Sequence, residues 1–175
     1  MTTSNQVMSV AISQIGYTEG NNNSTKYGNT FGEPHQSWCA MFCWWCGYMA
    51  ALKHKSLNPI ARCASAAYIQ EETVRKGGKW ILKKTTSEKK KRDVLKDLKS
   101  GDIIAFDFGT KEGYRDHCGL VERVNGDHII TIEGNTQPDK KSEQGKYDKV
   151  CRKKRNYTDM CSVVRPKYTK QGARQ

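Results

Sequence analysis

Residues 37–52 read SWCAMFCWWCGYMAAL. From Trp38 to Leu52 no residue is charged and apolar side chains fall on every side of a helical projection, so the segment is predicted as a helix buried at the centre of the fold. Its 15 residues fall short of the roughly 20 that span a bilayer, which excludes a membrane helix. Ser37 is placed to cap it. Three of the chain's seven cysteines, Cys39, Cys43 and Cys46, lie here. The Cys43-Cys46 spacing suits zinc, but no second pair of ligands follows at similar spacing, so these two read as small hydrophobes inside the helix. Cys39 differs by its place in the first turn, where unpaired N–H groups and the helix dipole favour a thiolate.

The rest of the chain is arranged around that helix. Val7, Met8, Ala11, Ile12 and Ile15 form one apolar helical face over residues 5–16. The Asn- and Gly-rich stretch 20–30 reads as a loop, and a third helix is expected over 63–76, closed by Gly77 and Gly78. From Gly101 onward the runs DIIAFDF, CGLVERV, HIITIE, KVCRK and SVVR alternate with turn residues, which predicts an antiparallel sheet. Helices first and strands afterwards give an α+β fold, with the helices on one face of the sheet and one domain over residues 1–175, its core about 4–168.

A thiol needs a base. Of His35, His54, His117 and His128, only His117 begins a strand whose partner ends in acidic and amide groups, in DHCGLVERVNGDHIITIEGN (116–135). A strict two-residue turn at Asn125-Gly126 places Cys118 opposite Glu133 and sends His117 to the other side. A three-residue loop of Val124, Asn125 and Gly126 sets His117 opposite Glu133, with Asn135 on the same face. Only the bulged arrangement yields a histidine held in one tautomer by a carboxylate, so the bulge is predicted.

The net charge is +12, and it is concentrated. Residues 83–99 carry eight basic and three acidic side chains, and residues 140–155 carry eight and two. Such a field attracts polyanions without choosing among them, and residues 83–99 read as an exposed excursion. The start, MTTSNQVMSVAISQIG, has neither a basic n-region nor a continuous apolar stretch, so no export signal is expected and the cysteines are expected reduced.

Taken together, IGYTEGNNNSTKYG, WCAMFCWWC, SGDIIAFDF, DHCGLVERV, TIEGNT and VVRPKY resemble, in order from Gly16 to Tyr168, a CHAP domain, the cysteine, histidine-dependent amidohydrolase/peptidase family of the papain-like group. The resemblance implies a nucleophile at Cys39, a general base and acid at His117, an orienting Glu133, and Asn135 assisting in orientation or oxyanion binding. It also implies that Trp38 lines the groove and that Tyr17 and Glu19 border it. The implied substrate is bacterial peptidoglycan, cut within the stem peptide or cross-bridge or at the glycan–peptide amide, as in phage endolysins that wait in the host cytoplasm. No separate wall-binding domain is expected beyond the tail TKQGARQ, so targeting would fall to a partner subunit or to anionic wall polymers drawn by the basic surface. Some relatives hold calcium through acidic residues just before the nucleophile; residues 21–37 offer only Glu33, and no metal or other cofactor is expected. The alternative is a catalytically idle basic module that holds nucleic acid or an anionic polymer, which leaves Cys39, His117 and Glu133 without a role.

Overall fold

In the computed structural model, which describes residues 1–109 and 115–169, the first helix is capped by its own sequence. Thr3 Oγ1 accepts from the Gln6 N–H and Gln6 Oε1 accepts from the Thr3 N–H, a reciprocal capping box that starts α1 (Ser4–Ser13). The stretch read as a loop contains a 3-10 turn at Asn21–Asn23 and a short helix, α2 (Lys26–Phe31), capped by Thr25. The central helix is α3 (Cys39–Lys53). Its N-cap is Trp38 rather than Ser37, and no side chain caps it. The third predicted helix is shorter than its sequence pattern: only α4 (Ile69–Arg75) forms, because Cys63, Ala64 and Ala66 pack against the core as irregular chain.

Six strands among the described residues make one sheet: β1 (Lys79–Leu82), β2 (Ile103–Phe106), β3 (His117–Asn125), β4 (His128–Thr136), β5 (Lys149–Asn156) and β6 (Met160–Arg165). Their order is β1-β6-β2-β3-β4-β5, with every pairing antiparallel. The fold is α+β, as the sequence implies. Strand β1 escaped the sequence pattern because KWIL is only four residues long.

Two apolar cores lie on opposite faces of the sheet. On one face, Val7, Met8, Phe42, Cys43 and Cys46 pack against Ile103, Cys118, Leu120 and Ile132. On the other, Ile104, Phe106, Val121, Ile129 and Val163 are covered by Val94, Leu95 and Leu98. These last three follow α5 (Glu88–Asp93), so the basic segment is folded against the sheet rather than an exposed excursion, and helices cover both faces rather than one. Three apolar residues among the lysines suffice to anchor it.

The β3–β4 hairpin decides which side chains meet. Asn125 pairs with His128 across Gly126-Asp127, and the bulge sits inside β3, between Val121 and Arg123, instead of at the turn. Beyond it Val121 pairs with Thr131 and Leu120 with Ile132. This register puts Gly119, not His117, opposite Glu133. The predicted consequence survives the corrected location, since one extra residue anywhere in β3 shifts the pairing by one and turns His117 onto the face of Glu133.

Candidate active site

Cys39, His117 and Glu133 converge from α3, β3 and β4. Cys39 opens α3, so its own N–H is among the backbone groups without an intrahelical acceptor, and the absent side-chain cap leaves them open to a ligand. His117, the first residue of β3, interacts with the Cys39 side chain and is hydrogen-bonded to Glu133. Its Nε2 lies 2.9 Å from Glu133 Oε2. All three are buried, Glu133 completely.

Glu133 is held by more than His117. Its Oε1 accepts from Thr131 Oγ1 at 2.5 Å and from Arg155 Nε at 3.0 Å, and its Oε2 accepts from Arg155 Nη2 at 2.5 Å. Burial pushes the carboxyl up, but the Arg155 guanidinium and His117 outweigh it and hold it at about 2. An ionised carboxylate can only accept, so Nε2 of His117 carries the proton and donates it to Oε2. That leaves Nδ1 as the nitrogen that exchanges a proton with the thiol. Burial pulls His117 down, yet the Cys39 side chain and Glu133 raise it to about 10. The Cys118 thiol and burial push Cys39 well above the ordinary thiol range, against the pull of His117.

Two glycines make this arrangement possible by close approach. A Cβ on Gly119 would lie 2.5 Å from Glu133 Cγ, so only glycine lets that carboxylate cross toward His117. A Cβ on Gly134 would lie 2.4 Å from Trp38 Cζ3, so glycine there seats the indole on β4.

The pattern of residues 26–135 matches the CHAP domain family. The chain belongs to the CHAP family. Among solved structures the CHAP chain is similar to the endolysin LysIME-EF1, at 15% identity and a TM-score of 0.57, covering 99% of this chain and 67% of that one. It is also similar to Ly7917, at 17% identity and a TM-score of 0.50, covering 94% of this chain and 62% of that one. A search of curated proteins finds no match.

Two of the residues expected to touch substrate, Trp38 and Glu19, belong instead to the scaffold of this CHAP domain. Trp38 is wholly buried, stacks on Tyr27 at 5.1 Å and donates its indole N–H to Glu19 Oε2 at 2.7 Å, so it lines no groove. Glu19 is itself buried and also accepts from the Asp148 N–H at 3.1 Å. Tyr17 is half-buried; it packs edge-on to Tyr27 and accepts from the Lys26 N–H. Asn135 departs from the expected strand alternation. A second bulge, between Glu133 and Thr136, breaks the alternation that put it on the His117 face, and Asn135 takes the left-handed backbone conformation at φ 58°. No hydrogen bond links it to His117 or Glu133 among the described residues.

Sequence reasoning missed Thr131 and Arg155. Thr131 had a findable signal, lying two residues before Glu133 and so on the same face of β4. Arg155 is masked by the run CRKKR, where every second residue turns inward but composition alone suggests a solvated stripe.

Proposed function

We propose that this CHAP domain hydrolyses an amide bond of bacterial peptidoglycan by thiol catalysis. The observation that carries the proposal is the meeting of Cys39, His117 and Glu133, three side chains remote in sequence, at the uncapped start of α3. His117 Nδ1 takes the thiol proton and the Cys39 sulfur attacks the amide carbonyl. The oxyanion is met by the Cys39 N–H at the positive end of the helix. The imidazolium then protonates the departing amine, and a water deprotonated by His117 releases the acyl group. Glu133 keeps the ring in the tautomer that both steps require. Membership of the CHAP family and a fold shared with a protein described as an endolysin support peptidoglycan as the substrate.

The bond is proposed to be either a D-alanyl-glycyl-type cross-bridge linkage or the N-acetylmuramoyl-L-alanine amide. Mass spectrometry of digested walls separates them: new amino termini on the bridge mark an endopeptidase, and free lactyl ends on the glycan mark an amidase. The parent reaction is tested by wall turbidity. Cys39→Ala is expected to abolish clearing, a loss of at least about 1000-fold, while remaining bound to walls. Clearing by that variant would refute the nucleophile, and wall binding without clearing by the unmodified protein would favour the idle basic module.

A further inference from the structure

Resting on the thiol-hydrolase reading, the geometry points to Arg155 as the positioning residue that sets the acid limit of the site by keeping Glu133 ionised and aimed at His117. Arg155 lies near the end of β5, and its neighbour Lys154 is exposed. Its own side chain is only 16% exposed and turns under the sheet to meet Glu133 with two donors, Nε on Oε1 and Nη2 on Oε2. The guanidinium is fixed on its faces as well, 5.2 Å from the Phe106 ring and 4.8 Å from the Phe108 ring. Those two rings flank His117, each at 6.2 Å. Arg155 thus braces both partners of the imidazole, the carboxylate and the aromatic wall.

The chemical consequence follows from the shared oxygen. Glu133 Oε2 accepts from Arg155 and from His117 together. Without the guanidinium, a fully buried carboxylate whose remaining donors are the Thr131 hydroxyl and one ring N–H would take up a proton at mildly acidic pH. Protonated Glu133 can donate to Nε2, which forces the ring proton onto Nδ1, the wrong tautomer for accepting from Cys39.

Among the described residues, no other cation bonds Glu133. The groups felt at the site are Cys39 and Cys43 of α3, Cys118 of β3 and Cys151 of β5, while Asp139 and Asp159 act on Arg155 itself. Lys153, the nearest lysine on the same face of β5, is committed to Asp139 at 2.5 Å and to the Gln137 carbonyl at 2.7 Å.

The test measures iodoacetamide alkylation of Cys39, read by peptide mass spectrometry in the full chain from pH 4 to pH 11, beside wall-clearing kinetics and thermal melting. Arg155→Met is expected to raise the half-point of Cys39 alkylation by about 1 pH unit. It should also lower kcat at least about 10-fold, with apparent KM within about twofold. Arg155→Lys keeps the charge but not the two-pronged bond, and is expected to restore most of the alkylation profile while kcat stays about threefold or more below normal. A folded Arg155→Met protein with an unchanged profile and kcat overturns the proposal, as does a loss of rate explained wholly by loss of folded protein. If Arg155→Met does not fold, Arg155→Lys decides, and a kcat equal to the unmodified protein's overturns it. A Cys39 alkylation profile left unchanged by His117→Ala would instead sink the thiol-hydrolase reading and this proposal with it.

Discussion

Glu133 is the residue on which the chemistry and the stability of the site both turn. Its carboxyl is depressed from the ordinary 4.5 to about 2, so the stability it contributes is complete above pH ~4.5 and is lost as the pH falls toward ~2. His117 has the opposite sign. Raised from 6.5 to about 10, it contributes fully below pH ~6.5 and loses its contribution as the pH rises through ~10. Melting temperature followed from pH 2 to pH 11 should therefore show both limbs. Glu133→Gln should flatten the acid limb, weaken the alkaline one and reduce wall clearing about 100-fold or more, since an amide does not select the tautomer. An acid limb identical in Glu133→Gln would assign that stability to other carboxylates. At this scale Cys39 and His117 were legible because a thiol at a helix start and a histidine at a strand start are unusual placements. Arg155 was not, because inward and outward arginines have the same letter.

Among the elements, α5 and the turn after it carry the clearest reversal. A stretch with eight basic residues reads as solvated, yet Val94, Leu95 and Leu98 bury against Ile104, Val121 and Val163 and close the second core. Leu95→Ala is expected to cost about 2–4 kcal/mol, read as a fall in denaturant midpoint at constant slope. A change within ~0.5 kcal/mol would return the segment to the status of a surface excursion. The β3–β4 hairpin makes a related point. The need for a bulge was legible from which side chains had to share a face, but its place at Glu122 was not. Parity constrains how many extra residues a strand carries and leaves open where the ladder accommodates them.

At the scale of the whole molecule, the +12 charge divides into two populations. Lys91, Lys153, Arg155 and Arg165 are tied into the fold, to the Thr158 carbonyl, Asp139, Glu133 and Asp102 respectively. Lys83, Lys84, Lys90, Lys96 and Lys99 are exposed, and no ion pair engages them among the described residues. If these lysines hold anionic wall polymers, binding of the Cys39→Ala protein to walls should fall several-fold from 0.1 M to 1 M salt, as the screening length contracts from about 10 Å to about 3 Å. Pull-down on purified walls measures it, and salt-independent binding would assign the affinity to uncharged contacts. The CHAP chain spans 67% of the length of LysIME-EF1 and 62% of Ly7917.

The α+β class, the buried central helix and the thiol at its start were determined by sequence alone, because apolar periodicity and helix-end chemistry are local properties. Tertiary structure alone decided the rest. It sealed Trp38 into the scaffold against Glu19, turned Arg155 inward to Glu133, and folded a lysine-rich segment over the second face of the sheet. Each of these depends on which surfaces of remote segments meet, and whether an indole, a guanidinium or a charged helix is buried is settled by the partner it finds there.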